Sequence, residues 1–473
     1  MAIGEIPRKV GLLVVGAGPG GYQAAIRAAQ LGLEVLCVDA QDWVGGTCLH
    51  AGCIPSKALI QAAELARRAR ENPMGVVAEG VRVDLEKLRA WKAGIVRELD
   101  GGVRQLFKAV GVAYAKARAT LRSPHEAALS DGAEGTVEFG HCILATGSRP
   151  AELRDLPFDG ERIVSSTKML EVADVPRRLL VVGAGYIGME LASAYRVLGS
   201  EVTVVEILPQ ILPGTDKDIA DVVSRAAKES GIRILVGSRV KGVERRPEGL
   251  LAAVETPQGE ERIEAERCLV AVGRRPNSQG IGLAEAGVAA DDKGVVWVDV
   301  KGRTSQENVF AIGDLVPGPM LAHKAAYEGK VAAEVIAGEP SAKDATTIPA
   351  VLFTHPEVAY CGLSEEEAKE RGHEVATGRC WFRTLGRAKA GGETAGFVKI
   401  VADKGTGTLL GVRMVGPVVT DLVGEAVLAV ETGAQVRDIA LSVHPHPTFC
   451  EALMEAAEAC EGRSVHQPKA HRR

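Results

Sequence analysis

Residues 12–39, LLVVGAGPGGYQAAIRAAQLGLEVLCVD, and residues 179–206, LLVVGAGYIGMELASAYRVLGSEVTVVE, follow one pattern that decides the fold. Each stretch begins with an apolar run typical of a buried strand. The spacing G-x-G-x-x-G, a helical segment and a second strand ending in an acid then follow. Gly183 corresponds to Gly16, and the same offset of 167 positions relates Glu206 to Asp39. One such glycine pattern is a weak signal, but two copies in this order predict two βαβ units of the Rossmann type.

The glycines of each copy have separate tasks. The first two permit a tight turn and let backbone N–H groups approach a pyrophosphate at the helix N-terminus, and the third allows close packing of helix and strand. The acid that ends the second strand is expected to accept a hydrogen bond from a ribose hydroxyl. These positions are Gly16, Gly18, Gly21 and Asp39 in the first copy and Gly183, Gly185, Gly188 and Glu206 in the second. The sequence therefore predicts that the chain binds two dinucleotides.

The second copy favours NAD over NADP. Glu206 is followed by ILPQILPG, without a nearby arginine. A carboxylate at this place accepts from a ribose 2′-hydroxyl and repels a 2′-phosphate.

The composition argues against several classes of partner. The chain has 473 residues, and its 56 basic and 61 acidic side chains leave a formal net charge of −5, which provides no basic surface for nucleic acid or anionic lipid. The apolar stretch 12–33 is interrupted by glycines, a proline and an arginine, so it predicts a strand, a turn and a helix rather than a membrane span. We expect a cytoplasmic protein that binds neither nucleic acid nor membrane.

Residues 45–57, GGTCLHAGCIPSK, place Cys48 and Cys53 five positions apart. Metal binding is one interpretation, although a second ligand pair with zinc spacing does not follow. Two inert buried cysteines are another. The third is a redox disulfide, because IPSKALIQAAELARRAR reads as a helix and a helix N-terminus lowers the pKa of a nearby thiol.

The segment GGTCLHAGCIPSK resembles the active-site segment of the pyridine nucleotide–disulfide oxidoreductases, flavoproteins whose disulfide lies against the flavin. ILATGSRP (143–150), LVAVGRRPN (269–277), ENVFAIGD (307–314) and MLAHKAAYEG (320–329) resemble further segments of the same family. The resemblance implies an α/β protein with two Rossmann-like dinucleotide-binding domains and a C-terminal α+β dimerisation (interface) domain. The implied segments are 1–149 for FAD, 150–276 for NAD, 277–345 for the return to the FAD domain, and 346–473 for the interface domain.

The resemblance also implies roles for individual residues. Cys48 and Cys53 form the redox disulfide, and Lys57 lies near the flavin and pairs with Glu190. The implied FAD contacts are Gly16, Gly18, Gly21, Asp39, Gly46, Thr47, Lys57, Ala117, Thr146, Gly147, Asp314 and Ala322. The implied NAD contacts are Gly183, Gly185, Tyr186, Ile187, Gly188, Glu206, Val240, Gly273 and Arg274. Four positions depart from the family: Ala117 replaces a more usual glycine, His50 and Ala51 replace a more usual asparagine and valine, and Cys450 is a thiol four residues past His446. His50 is interpreted as a surface histidine, with a cation beside the thiolates as the alternative.

A second chemical segment, HPHPTFCEALMEAAEAC, stands near the C-terminus. Thiol–disulfide exchange needs a proton acceptor and donor, and histidine suits both tasks near neutral pH. In the family this pattern makes His446 the acid–base group and Glu451 the residue that orients it, and the histidine serves the partner subunit of a two-fold dimer. TFCE also has the spacing of a capping box with Thr448 as N-cap.

Within the family the chain is most similar to members that oxidise dihydrolipoyl groups with NAD⁺. This likeness implies a homodimer that works with the lipoyl-bearing acyltransferase core of a 2-oxo acid dehydrogenase complex or with a glycine-cleavage carrier protein. The alternatives are a sibling FAD-dependent disulfide or mercuric reductase and a flavin-bearing scaffold subunit. Glutathione-type siblings carry arginines after the second strand-end acid, and mercuric reductases end in a vicinal cysteine pair; this chain has neither.

Overall fold

The structure, a computed structural model, describes residues 7–466. They fold into two compact units, each assembled from separate stretches of the chain. The first unit runs to Leu59 and adds Glu86–Ala151 and Gly273–Asp344; the second contains Ile60–Leu85, Glu152–Val272 and the chain from Ala345 onward. The predicted division at 149/150, 276/277 and 345/346 is finer than these two units and stays a prediction. The outermost parts of its first and last segments lie outside the described residues.

The first unit is built on a seven-stranded sheet and a two-stranded ribbon. The sheet strands are β1 Lys9–Val15, β2 Val35–Asp39, β3 Ala113–Lys116, β4 Arg118–Ser123, β5 Glu126–Ser130, β6 Gly135–Leu144 and β17 Val309–Ala311, and the ribbon strands are β7 Ser148–Pro150 and β16 Arg274–Pro276. The order is β3-β2-β1-β6-β5-β4, with β17 beside the last residues of β6. β3, β2, β1, β6 and β17 pair in parallel, whereas β4, β5 and β6 pair antiparallel. Apolar clusters that include Leu12 and Leu13 form the core of this unit.

The helices of the first unit are α1 Pro19–Gln30, α2 Gly46–Ala51, the first part of α3 Cys53–Arg70, all of α4 Leu85–Val110 except its first residue, and α8 Ala322–Ile336. Helices α1 and α8 pack closely because both are rich in small residues where they meet. A Cβ at Gly329 would lie well inside 3.0 Å of the Gly20 carbonyl oxygen. The first turn of α1 therefore lies directly against the middle of α8.

The second unit contains a parallel sheet of the same type. Its strands are β8 Ile163–Val164, β9 Arg178–Val182, β10 Glu201–Val205, β11 Arg233–Leu235 and β15 Arg267–Val270, in the order β11-β10-β9-β15-β8. Its helices are α5 Ser166–Met169, α6 Tyr186–Leu198 and α7 Lys217–Glu229, and an antiparallel sheet follows with β12 Arg239–Arg246, β13 Gly249–Thr256 and β14 Gly259–Ala265.

The rest of the second unit is an antiparallel five-stranded sheet with helices. The strands are β18 Ala350–Leu352, β19 Glu357–Gly362, β20 Val375–Trp381, β21 Phe397–Asp403 and β22 Leu409–Gly416, in the order β18-β19-β22-β21-β20. The helices are α9 Glu365–Glu370, α10 Gly386–Gly391, α11 Val419–Glu431, α12 Val436–Leu441 and α13 Glu451–Cys460. Two short 3₁₀ turns, Gly313–Leu315 in the first unit and Phe382–Thr384 here, complete the elements.

The predicted fold class is confirmed. Both G-x-G-x-x-G stretches form strand–turn–helix–strand units on parallel sheets, and the C-terminal part is a mixed antiparallel α+β structure. Each helix within residues 7–466 is too short or too polar to cross a membrane.

Candidate active site

The two glycine turns have the same geometry. Gly16 and Gly183 adopt left-handed backbone angles, with φ of +105° and +100°, which favours glycine. A Cβ at Gly21 would lie well inside 3.0 Å of the Gly16 carbonyl oxygen, and one at Gly188 would lie equally close to the Gly183 carbonyl oxygen. The third glycine of each motif therefore permits the helix to pack onto its own turn.

The middle glycine of each motif borders open space. A Cβ at Gly18 or Gly185 would meet no atom of residues 7–466 within 4 Å, and each of these glycines is the N-cap of its helix. Both turns thus leave room for a phosphate beside a helix N-terminus, where N–H groups and the helix dipole favour an anion. In the first unit the Gly46 backbone lies directly against Gly18, since a Cβ at Gly46 would come 2.6 Å from the Gly18 Cα. The residues fit two dinucleotides.

The strand-end acids make the same hydrogen bonds in both copies. Asp39 accepts from the Ala17 N–H at 2.8 Å and from the Gln41 N–H at 2.9 Å. Glu206 accepts from the Ala184 N–H at 2.6 Å and from the Leu208 N–H at 3.0 Å. Each carboxylate therefore ties its strand end to the glycine turn, a role that the sequence pattern alone does not reveal. Burial raises the pKa of Asp39, although the two N–H groups oppose that shift.

A polar cluster surrounds Asp314 in the first unit. Ser148 Oγ donates to Asp314 Oδ2, and Arg274 donates through Nε to Ser148 Oγ at 2.7 Å. The guanidinium also lies 4.0 Å from the Asp314 carboxylate. Arg274, predicted as an NAD contact, thus donates its hydrogen bonds to Ser148, the residue that in turn holds the predicted FAD contact Asp314.

The other predicted cofactor contacts fall on turns and helices, except Val240, which lies in a strand. Those for FAD are Thr47 in α2, Ala117 directly after β3, Thr146 and Gly147 between β6 and β7, and Ala322 at the start of α8. Those for NAD are Tyr186 and Ile187 in α6, Val240 in β12, and Gly273 directly before β16. Their cofactor contacts stay predictions.

Cys48 and Cys53 form a disulfide, with their Cα atoms 4.7 Å apart. Cys48 lies in α2, and Cys53 is the first residue of α3. The intervening Gly52 lies close to the preceding turn, because a Cβ there would come 2.9 Å from the Thr47 carbonyl oxygen. Lys57 follows one turn later in α3. The disulfide interpretation of the cysteine pair is confirmed.

A polar network holds the loop before the disulfide. His50 stacks on Trp43 at a centroid distance of 4.8 Å, and its Nε2 lies 3.1 Å from the Val44 carbonyl oxygen and 3.3 Å from Asp100 Oδ1. Asp100 also accepts from the Val44 N–H at 2.9 Å and from Arg104 Nε at 2.7 Å. Since only 12% of the His50 side chain is exposed, its interpretation as a surface histidine is wrong.

A cleft of about 460 Å³ opens beside the disulfide in the first unit. Cys48, Leu49 and Ile54 form one wall, and Leu99 and Val103 of α4 another. Residues of α1 and α8 complete the lining, among them Pro19, Tyr22, Gln23, Ala322, His323, Ala326, Tyr327 and Lys330. Because most of these side chains are apolar, the cleft suits an apolar ligand beside Cys48.

The predicted acid–base pair, His446 and Glu451, lies in the second unit, and His446 is open to solvent. Its Nδ1 lies 2.8 Å from Glu451 Oε1, while Glu451 Oε2 accepts from the Thr448 N–H at 2.8 Å. Burial opposes ionisation of Glu451, but the hydrogen bonds from His446 and Thr448 outweigh it and hold the pKa of Glu451 below its usual range. The His446 side chain is 75% exposed, so its Nε2 is accessible to another molecule.

The helix start differs from the predicted capping box. α13 begins at Glu451 with Cys450 as its N-cap, so the assignment of Thr448 as N-cap is wrong. The Glu451 carboxylate still accepts from the Thr448 N–H, but the Thr448 hydroxyl donates to the Pro445 carbonyl oxygen at 2.7 Å instead.

Glu190 is buried in α6 of the second unit, where its Oε1 accepts from the Phe353 N–H at 2.8 Å. This partner lies 163 positions away, so sequence spacing does not reveal it. The predicted pairing of Glu190 with Lys57 stays a prediction.

Comparison with known proteins agrees with this site. Residues 11–329 match the family described as pyridine nucleotide-disulphide oxidoreductase, and residues 348–457 match its dimerisation domain. The dihydrolipoyl dehydrogenases of Haloferax volcanii and Geobacillus stearothermophilus are 46% and 44% identical to the chain, covering 98% of it and 99% of each relative. The crystal structure of LpdA from Mycobacterium tuberculosis has a TM-score of 0.87 and 28% identity, covering 95% of this chain and 99% of its own. The chain therefore belongs to the pyridine nucleotide-disulphide oxidoreductase family.

Proposed function

We propose that the protein is a dihydrolipoyl dehydrogenase, which oxidises dihydrolipoyl groups through the Cys48–Cys53 disulfide and FAD and reduces NAD⁺. One observation carries the proposal: Cys48 of the disulfide lines a mostly apolar cleft. A dithiol on an alkyl chain matches that cleft in polarity. The printed names of full-length relatives support the same activity.

Exchange begins at Cys48, the cysteine that lines the cleft. A substrate thiolate attacks its sulfur, the Cys48–Cys53 bond breaks, and Cys53 leaves as a thiolate. The second substrate sulfur then displaces Cys48 and closes the oxidised lipoyl ring. Two electrons have moved to the cysteine pair, and of the two substrate protons one stays on Cys48 and the other on a histidine.

His446 is that histidine. Glu451 accepts from its Nδ1–H and leaves Nε2 as the proton acceptor, which is the usual division of labour in a carboxylate–histidine pair. Residues 348–457 form the dimerisation domain of a homodimer. His446 of one subunit serves the disulfide of its partner, and its high exposure supports this arrangement.

The two glycine turns hold the cofactors, FAD at Gly16–Gly21 and NAD at Gly183–Gly188. Bound FAD supplies the two-electron carrier between the reduced cysteines and NAD⁺. Glu206, followed by the exposed apolar side chains of Ile207 and Leu208, offers no cation to a 2′-phosphate and selects NAD. The net reaction converts one dihydrolipoyl group and NAD⁺ into a lipoyl group, NADH and a proton.

The natural substrate is a lipoyl group on another protein, either the acyltransferase core of a 2-oxo acid dehydrogenase complex or a glycine-cleavage carrier protein. Such work belongs to the cytoplasm, where a disulfide is usually transient and catalytic.

The test is the initial rate of NAD⁺ reduction by free dihydrolipoamide, with NADP⁺ beside it. We expect turnover with NAD⁺ and at least tenfold less with NADP⁺. Cys48→Ser should abolish turnover, whereas the matched variant Cys460→Ser, at a half-buried cysteine that forms no disulfide, should retain it. Negligible turnover by an FAD-loaded dimer would refute the dihydrolipoyl activity. Reduction of glutathione disulfide or Hg²⁺ by the same sample would favour the sibling reductases.

A further inference from the structure

Helix α8 carries a buried ion pair that the proposed chemistry does not use. Lys324 and Glu328 are 5% and 6% exposed, and Lys324 Nζ lies 3.2 Å from Glu328 Oε2. Removing two charges from water is costly, and apolar side chains of similar size often stabilise a fold at least as well. The reason for a charged pair here must therefore be sought in what the two groups contact.

Both groups hold the backbone of one residue. Glu328 Oε2 accepts from the Gly313 N–H at 2.8 Å, and Lys324 Nζ donates to the Gly313 carbonyl oxygen at 3.0 Å. Gly313 adopts a left-handed angle, φ +69°, in the turn after β17, and Asp314 follows it directly. The backbone N–H and carbonyl groups of Gly313 are thus both fixed by charged side chains of helix α8.

We propose that Lys324 and Glu328 are positioning residues that fix Asp314 for its contact with FAD. The inference rests on the proposed role of Asp314. The backbone of the turn is held from α8 through Gly313, and the Asp314 carboxylate is held by Ser148. Polar side chains are needed here because one must donate and the other must accept, which apolar residues cannot do, and the two charges strengthen both hydrogen bonds.

Gly318 provides independent support for the fixed position of the Lys324 side chain. It adopts φ +110°, and a Cβ there would lie 2.9 Å from Lys324 Cε. A side chain at this position would crowd the lysine stem. The loop that contains Gly318 therefore packs closely against the Lys324 side chain.

The decisive variant is Lys324→Met/Glu328→Leu, which removes both charges at similar side-chain volume. The matched control is Arg27→Met/Glu334→Leu, which removes an ion pair of 2.8 Å between α1 and the same helix, away from Gly313. Each apoprotein is titrated with FAD by flavin fluorescence, and its melting temperature is recorded. We expect the first variant to bind FAD about tenfold more weakly and the control to stay within twofold, since charge-assisted hydrogen bonds are lost only in the former.

Asp314→Asn separates this inference from the role on which it depends. If the pair acts through Asp314, adding Asp314→Asn to Lys324→Met/Glu328→Leu should weaken FAD binding little further, a non-additivity that general destabilisation does not produce. Additive effects, or wild-type affinity in the charge-free variant beside a weakened Asp314→Asn, would overturn the positioning role alone. Wild-type affinity in Asp314→Asn would remove the FAD role of Asp314 and the inference with it.

A milder variant keeps the test informative if the charge-free chain does not fold. Glu328→Gln retains an acceptor for the Gly313 N–H but removes the charge beside Lys324. We expect it to weaken FAD binding in the same direction and by a smaller factor. Unchanged affinity in Glu328→Gln, with Asp314→Asn weakened, would contradict the proposal.

Discussion

Replacing Glu451 by alanine tests the acid–base pair most directly. The substitution removes the 2.8 Å hydrogen bond to His446 Nδ1 and with it the group that fixes the tautomer of the ring. A hydrogen bond to a charged group contributes roughly 1.5–3 kcal/mol. Because the His446 side chain is 75% exposed, solvent screens the interaction and we take the lower end. At about 1.4 kcal/mol for each factor of ten, kcat should fall about tenfold.

The assay is steady-state reduction of NAD⁺ by dihydrolipoamide, with FAD content and unfolding measured on the same sample. We expect kcat to fall and KM to change little, since Glu451 orients a proton acceptor rather than binding substrate. Stability should also drop by about 1 kcal/mol, because the Thr448 N–H loses its acceptor at the start of α13.

A second histidine–glutamate pair provides the control. His444 Nε2 lies 2.9 Å from Glu425 Oε1, in the same unit and on the same loop as His446. Glu425→Ala should keep kcat within twofold. Wild-type kcat in Glu451→Ala would refute the orienting role, and an equal fall in Glu425→Ala would show that the loss comes from the loop as a whole.

Three further predictions concern residues that stabilise the second unit. Gly188→Ala should abolish NADH binding, measured by fluorescence titration, while FAD content stays normal, because its Cβ would collide with the Gly183 carbonyl oxygen; retained NADH binding would contradict the tight turn. Asp216→Asn should lower the free energy of unfolding in urea by roughly 1–3 kcal/mol, because the Asp216 carboxylate accepts from the buried Lys399 ammonium at 2.7 Å. An unchanged free energy would mean that Asp218, the second acid beside Lys399, suffices on its own. The His373 hydrogen bond and backbone N–H groups lower the pKa of Asp403 to about 2. The ionised Asp403 carboxylate therefore stabilises the fold fully above the ordinary aspartate pKa, and this contribution is lost as pH falls through about 2. The stability difference between wild type and Asp403→Asn should therefore be larger at pH 5 than at pH 3; a constant difference would refute the linkage.

Features set by short spacing were predictable from the sequence. The two glycine turns and the cysteine pair each depend on residues that lie close together in the sequence, and the structure has each as predicted. Their geometry follows from backbone angles and close approaches that only certain residue types allow.

Contacts between distant segments were not predictable in this way. Asp100 holds Val44 across 56 positions, and Phe353 donates to Glu190 across 163. Nothing in the local pattern around His50 indicates Asp100 of α4, which is why the histidine was assigned to the surface. The start of α13 was misplaced for a different reason: the Thr448 hydroxyl bonds backward to the Pro445 carbonyl oxygen, a local backbone contact that hydroxyl groups also favour outside helix starts.

The strand-end acids show how structure changes the interpretation of a motif. In both copies one carboxylate oxygen accepts from the turn and the other from the residue two positions beyond the acid. An amide has a single acceptor oxygen, so Asn or Gln cannot accept on both sides. Each ionised oxygen keeps a second lone-pair site, which leaves room for a ribose hydroxyl. Closing the glycine turn therefore already requires an acid at this position. The proposed selection against a 2′-phosphate at Glu206 uses the same negative charge.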